Sequence, residues 1–257
     1  MPDDALWPSW EAHAGWWQEN FTEGADAEYT EQILPLAATH LAGATEVLDV
    51  GTGDGQVARV AAAAEVGVRR VVGVDPVWAQ VSVACQRGSG PGGPAYVLAE
   101  AAHLPFPPSA FDAVVACLVF EHIEDLDGAL SEVGRVLRPG GRFLFFLNHP
   151  LLQVPGSGWI DDQILEEQYW RIGPYLVEDS SPEEVEKGVW VPFVHRPLSR
   201  YVNAMADAGL VIRRMEEPAP PPGFLARAAE YREAATIPRL LLLRAEKDGL
   251  GRIVARA

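Results

Sequence analysis

Apolar positions along this chain alternate between two rhythms, short unbroken runs and runs with helical spacing, from Glu46 through Leu147. Apolar runs of roughly four to eight residues bounded by turn formers read as buried strands, whereas recurrence at i, i+3 and i+4 reads as an amphipathic helix. On that basis Glu46–Val50 predicts a first strand, Gln56–Ala64 an alanine-rich helix, Arg70–Val74 a second strand, and Trp78–Arg87 a helix that stops at GSGPGGP. Ala95–Leu98 predicts a third strand, followed by the loop EAAHLPFPPSAFD, and the nearly continuous apolar run Ala113–Val119 a fourth. The helix predicted over Leu126–Leu137 ends at RPGG, because Pro139 cannot continue it and Gly140 allows a left-handed turn before the fifth strand, Arg142–Leu147. Five βα units of this kind predict an α/β domain built on a parallel sheet.

The flanks follow different patterns. Trp7 to Leu41 is aromatic and interrupted by glycine, then helical, with Tyr29, Ile33, Leu34 and Leu36–Leu41 on one apolar face. Residues 150–198 mix Gly, Pro, acids and aromatics without a period, and an irregular insertion of that length predicts a lid that carries specificity. Ser199–Ala208 predicts a helix closed by Gly209, and Leu210–Met215 and Arg239–Arg244 predict strands on either side of PAPPPG. With 257 residues and no internal repeat the expectation is one domain: a helical cap (1–43), a core (44–149), the insertion (150–198) and a final part of the sheet (199–257).

Composition narrows the partners. A net charge of −16 repels a phosphate backbone, whose recognition rests on clustered Lys and Arg, so nucleic acid is not expected. No apolar run approaches the ~18 residues of a membrane span, which argues against a membrane partner. MPDDALWPSW lacks a basic segment followed by an apolar one, so no secretory signal is expected and the cytoplasm follows by default. Cys85 and Cys117 lie in apolar stretches without paired spacing, and are read as buried thiols rather than a metal site or a disulfide; no metal is expected. The same cap residues can be buried within one chain or between two, leaving monomer and homodimer both open.

The most informative chemistry is the turn GTGDG after the first strand. Gly51, Gly53 and Gly55 let backbone approach a ligand without obstruction by a Cβ. A dinucleotide fingerprint places glycine at the first, third and sixth positions, but the sixth here is Gln56, which disfavours a nicotinamide-dependent oxidoreductase. A P-loop requires Gly-Lys-Ser/Thr, and the turn is followed by Gln56, Val57 and Ala58. Asp49, two positions before the first glycine, supplies a carboxylate that suits a cationic group better than a pyrophosphate.

VLDVGTGDG, the acidic Asp75 at the end of the next strand, AEAAHLPFPPSAFDAVV and LRPGGRF together resemble the S-adenosylmethionine-dependent methyltransferases of the ubiquinone-methylase-like branch, in register over Ala44–Leu147. The resemblance implies a class I, Rossmann-like fold: a mostly parallel seven-stranded sheet flanked by helices, with an N-terminal helical cap and an insertion after the fifth strand. It implies S-adenosylmethionine as cofactor and S-adenosylhomocysteine as product. Asp49 and the turn of Gly51, Gly53 and Gly55 would face the methionine part; Asp75 would take the ribose hydroxyls, and Pro76 would pack on adenine. Glu100 and the Ala101 N–H would meet the adenine edge, and Thr52, Gln56 and Leu118 would complete the wall. An isolated Asp after a strand is more often a cap or turn former, but the joint spacing overrules that here. For Gly55, helix packing is the alternative role.

Methyl transfer displaces a group from an already activated carbon, so alignment worth ~7–11 kcal/mol outweighs a base worth roughly 10²–10⁴-fold. A base is still expected for a hydroxyl or an acidic carbon. His122 in FEHIED and His149 in NHP follow the fourth and fifth strands, at the carboxyl edge where such sheets bind ligands. Glu121 is a further candidate, a backbone-bonded helix start is the plain alternative for His122, and His195 is read as a lid anchor. Trp16, Trp17, Tyr29, Trp159, Tyr169 and Tyr175, from the two covering segments, are the candidate acceptor contacts and suit an apolar or aromatic small molecule. Nine acids against Arg171 and Lys187 between Pro155 and Trp190 argue against an anionic acceptor. The competing reading is a protein or cyclase that holds the cofactor without donating its methyl group.

Overall fold

The computed structural model describes residues 7–63, 66–88, 90–231 and 233–249, with side chains from residue 10 onward. The opening residues that bear on a secretory signal, and Ala64 at the expected helix end, fall outside that set. Helix α1 (Trp7–Phe21) and a π-helical turn (Tyr29–Ile33) that runs into α2 (Leu34–Leu41) form the N-terminal cover. The core runs β1 (Glu46–Val50), α3 (Gln56–Ala62), β2 (Arg70–Asp75), α4 (Trp78–Arg87), β3 (Ala95–Leu98), β4 (Phe111–Cys117), α5 (Leu126–Val136) and β5 (Leu137–Asn148). The third strand reaches the fourth through a loop without a helix, so the third of the five expected βα units lacks its helix.

Two elements differ from the expected boundaries for a backbone reason. The apolar run of β4 stops at Cys117 because Leu118 enters the left-handed region at φ 54, turning the chain out of the sheet. RPGG does not separate α5 from β5: Leu137 already pairs with Phe111, and pairing resumes at Ala113 with Arg142, so the glycines form a bulge within the strand.

Residues 150–197, expected to be irregular, form two antiparallel hairpins. The first joins β6 (Gly158–Asp162) to β7 (Glu167–Arg171), and the second joins β8 (Asp179–Glu186) to β9 (Val189–His195). All of β8 is exposed, and its acids and serines, with Val185 as the one apolar side chain besides Pro182, show no apolar alternation. The strand is held by main-chain pairing to β9, whose Val191–His195 are buried. Helix α6 (Leu198–Asp207), β10 (Leu210–Glu216), α7 (Pro222–Arg227) and β11 (Leu240–Lys247) complete the chain.

Seven strands form the sheet in the order β10-β11-β5-β4-β1-β2-β3. The central pairs are parallel, and β11 lies antiparallel between β5 and β10. Successive strand residues enter opposite cores: Leu48, Val114 and Phe145 pack with Leu130 and Met205, while Val47, Val115 and Phe146 pack with Ile33 and Ala58. Both faces are covered, which is why the strands read as continuous apolar runs. Strand order reverses at β1, and parallel sheets hold ligands at such a point beyond the strands' carboxyl ends. Of the two cysteines, Cys117 is buried as expected but Cys85 is exposed, because it lies on the outward face of α4.

Candidate functional site

The turn after β1 is shaped by close packing. Gly51 has φ +69, and a Cβ there would lie 2.1 Å from Val119 Cγ2, so only glycine lets the turn pass under β4's exit. Gly53, at φ +54, has nothing nearer its Cβ position than Trp17 Nε1 at 4.0 Å: its bare face looks into the cavity. At Gly55 a Cβ would meet the Tyr96 hydroxyl at 2.3 Å, and the residue does not line the cavity, so here the packing role is the one seen. The turn's Asp54 is buried, tied to Arg87 and lying 3.4 Å from Arg59.

The cavity above this turn is lined by Asp49, Gly51, Thr52, Gly53, Gln56, Asp75, Pro76, Ala101 and Leu118, with α1 contributing Trp10 and Trp17 as a roof. Asp49 is buried, and its Oδ2 accepts from the Thr52 hydroxyl at 2.6 Å. That approach is open because Gly73 beside it on β2 has no side chain; a Cβ there would sit 2.6 Å from Thr52 Oγ1. Burial pushes the Asp49 carboxyl up to about 7, against the hydrogen bonds that favour its charge. Asp75 accepts the Gly53 and Val77 N–H groups, each at 2.9 Å, one on each oxygen, and burial lifts it to about 6. Each of its oxygens keeps a second lone pair for a ligand donor. Glu100, by contrast, is exposed beside His103, 3.6 Å away, and is not part of this wall; only its neighbours Ala99 and Ala101 are.

A second cavity of about 290 Å³ adjoins the first. Trp10, Trp17, Tyr29, Leu118 and His122 line both. Trp16 and Phe21 of α1 and Phe193 of β9 extend its aromatic wall. Trp16 donates its indole N–H to Glu186, tying α1 to the second hairpin. Tyr29 is buried, with its hydroxyl against the Cys117 thiol, and burial raises both groups well above their ordinary values.

His122 sits where the cavities meet. Its Nδ1 is 2.7 Å from the Pro192 carbonyl, and a carbonyl only accepts, so Nδ1 carries the proton and Nε2 is left with a lone pair. Trp10 and Phe193 pack their rings edge-on against the imidazole, and burial pushes its pKa down to about 4, so it is neutral at pH 7. His149 and His195 make structural contacts instead. His149 Nδ1 accepts the Leu151 N–H at 3.2 Å and Nε2 lies 2.8 Å from Glu217, so both nitrogens are engaged outside the two cavities. His195 is buried with Nε2 2.9 Å from the Tyr175 carbonyl, pinning the linker between the two hairpins to β9. Glu121 is buried behind the site, accepting twice from Asn148, and burial raises it to about 7.

Three expected acceptor contacts lie elsewhere. Trp159 stacks on Tyr231 at 4.9 Å, Tyr169 is 45% exposed, and the Tyr175 hydroxyl accepts from the Leu198 N–H at 2.8 Å. The first hairpin thus packs on the segment before β11, and only the second reaches the site. Trp10, one of the covering aromatics, takes a place there, as do Val191 and Phe193, which the sequence did not single out; the apolar run of β9 was the available signal. Among the described residues no His/Cys/Asp/Glu cluster suits a metal, and no helix is long and apolar enough to cross a membrane.

A family model described as a methyltransferase domain matches residues 48–145. Demethylmenaquinone methyltransferase of Thermus thermophilus is 34% identical over 122 residues, 47% of this chain and 54% of that protein. Malonyl-(acyl-carrier protein) O-methyltransferase of Serratia marcescens is 34% identical over 130 residues, 50% of this chain and 48% of that protein. The chain therefore spans about half the length of these curated relatives. Among solved structures, an S-adenosylmethionine-dependent methyltransferase of Mesorhizobium loti superimposes with a TM-score of 0.69 at 29% identity, over 82% of this chain and 96% of that one. Residues 48–145 therefore match a methyltransferase domain, and the fold is similar to that of S-adenosylmethionine-dependent methyltransferases. The matched core is similar to that of demethylmenaquinone and ubiquinone/menaquinone methyltransferases.

Proposed function

We propose that the chain transfers a methyl group from S-adenosylmethionine to a small apolar or aromatic acceptor held in the second cavity, with His122 as general base. The observation that carries this reading is the shared wall: Trp10, Trp17, Tyr29, Leu118 and His122 face both cavities, so a cofactor in one and an acceptor in the other meet across it.

The first cavity's residues fit the cofactor. Asp49 is a buried carboxylate with no cationic partner among the described residues, Gly53 presents bare backbone, and Asp75 keeps acceptor capacity for a diol. Asp49 and the turn would hold the amino-acid end, Asp75 the ribose, and Pro76 and Ala101 the adenine. When bound, S-adenosylmethionine supplies an electrophilic methyl group on a sulfonium.

The chain's residues then align, dry and deprotonate. Trp10 and Trp17 roof both cavities and keep water from the meeting point. The Pro192 carbonyl holds His122 with its Nε2 lone pair available for the acceptor's proton. A base of this kind need not be strong, because an acceptor atom gaining a bond to carbon turns acidic as the bond forms. Alignment carries the larger share of the rate, which is consistent with a site built from rigid indoles and one neutral imidazole.

The test is labelled S-adenosylmethionine mixed with a metabolite extract, with Asp49→Ala as the control. Label appearing in a small molecule together with S-adenosylhomocysteine, and absent with the variant, is the expected result. Cofactor binding without any methyl consumption would point to the cyclase or binding-protein alternative, and no cofactor binding at all would overturn the family role.

A further inference from the structure

The second cavity's aromatic wall also bears charges that are unevenly paired. Asp26 accepts from the Tyr29 N–H and lies 3.3 Å from Arg227. Glu28 binds Arg239 at 2.8 Å, and that guanidinium lies 4.1 Å from the centroid of the Phe224 ring, so the wall's one arginine is already engaged on both sides. Glu183 of β8 is different: among the described residues its carboxylate has neither a cationic partner nor a hydrogen-bond donor, although it lines the cavity. It is exposed, which puts it at the opening, and partial burial raises its pKa.

A second observation comes from Gln32, on the same wall and only 8% exposed. Its Nε2 donates to the Ala219 carbonyl at 2.7 Å, and since a carbonyl cannot donate, the amide's orientation is set. Its Oε1 is then a buried acceptor with no partner among the described residues. A buried polar atom without a partner costs free energy that a ligand donor would recover. An unpaired carboxylate at the opening and an unpaired carbonyl oxygen within the wall both call for donors, and Trp16, Trp17 and Phe21 between them offer π faces that attract cations.

Resting on the methyltransferase reading, we infer that the acceptor carries an aromatic or apolar body that sits between the indoles and an ammonium group, distinct from the atom that takes the methyl, directed to Glu183 and Gln32. A neutral acceptor offers Glu183 no charge to pair with and, without an O–H or N–H, leaves Gln32 Oε1 unmet, and an anionic one is repelled by a wall whose single arginine is committed to Glu28.

Calorimetry with three matched probes, 2-(1-naphthyl)ethylamine, 1-ethylnaphthalene and 1-naphthaleneacetate, tests this on the full chain saturated with S-adenosylhomocysteine. The amine is expected to bind roughly tenfold more tightly than the neutral isostere, a typical worth for one ion pair with aromatic contacts, and the carboxylate least. Glu183→Gln, a change on an exposed strand, is expected to bring the amine down toward the neutral probe while leaving the neutral probe unchanged. Equal binding of amine and isostere, or preference for the carboxylate, would overturn the inference. The series is repeated without S-adenosylhomocysteine: amine preference with no heat from S-adenosylhomocysteine sinks the methyltransferase reading alone, whereas cofactor binding without amine preference sinks only this one.

Discussion

The two cavities are built by opposite means. The first cavity is mainly backbone and short acids drawn from the ends of β1, β2 and β4, and its shape depends on side chains that are absent, as at Gly51 and Gly73. The second cavity is mainly large side chains brought from α1, the π-helical turn, β9 and the start of β11. Main-chain geometry is dictated over a few residues and tolerates little change, whereas an aromatic wall assembled from distant segments changes by single substitutions. The difference explains how one cofactor site serves a family whose members act on unlike acceptors.

The largest effect expected from breaking this contrast is at Asp49. Replacing it with alanine removes the buried charge facing the sulfonium compound, and truncating one partner of such a pair typically costs about 2–5 kcal/mol, on the order of 10²-fold or more in cofactor affinity. Calorimetry should show that loss with amine-probe binding retained; unchanged cofactor affinity would contradict the role.

Next come the glycines. Gly51→Ala forces a Cβ to within 2.1 Å of Val119 at positive φ, so urea unfolding should show a loss of roughly 2–4 kcal/mol from overpacking and strain. Gly53→Ala meets open space and should cost ~1 kcal/mol of stability while weakening cofactor binding. If the two variants behave alike, the distinction between packing and cavity glycines is wrong.

On the other side, Trp16 lines only the second cavity, so Trp16→Ala is expected to raise acceptor KM about tenfold with cofactor Kd unchanged. A shift in cofactor Kd instead would mean that the cavities are not separable.

The smallest effect is a pH dependence of the cofactor side. Asp49, raised to about 7, must be ionised to meet a cation, so cofactor affinity should climb by up to roughly tenfold per unit as pH rises toward 7 and level off above it. Asp49→Asn should flatten that curve. Because Asp49, Asp75 and Glu121 all have carboxyls raised above their unfolded values, the ligand-free protein gains least from them at high pH: their contribution is complete below about 4 and is lost as pH rises through 6 to 7. His122 acts in the opposite sense, its stabilisation present above about 6.5 and lost as pH falls toward 4. Thermal melts of Glu121→Gln and His122→Gln against pH separate the two.

The legible part of the molecule was the part written in contiguous sequence. Strand, glycine turn and helix at Glu46–Ala62 were readable because their hydrogen bonds and packing close locally, and the acids Asp49 and Asp75 are placed by strand ends. Leu118's left-handed turn was hidden, since nothing local marks a leucine for positive φ. The hairpins of 150–197 were hidden because β8 is held by pairing alone, without apolar alternation.

By itself the sequence determined the class of fold and the glycine turn that shapes the first cavity, because periodicity and glycine positions act over a few residues. Only the tertiary structure decided which histidine faces both cavities and which aromatics line the second. His122 and His149 both follow strands, yet one is aimed by the Pro192 carbonyl seventy residues away and the other is consumed by Glu217. That choice depends on long-range packing, which no local pattern encodes.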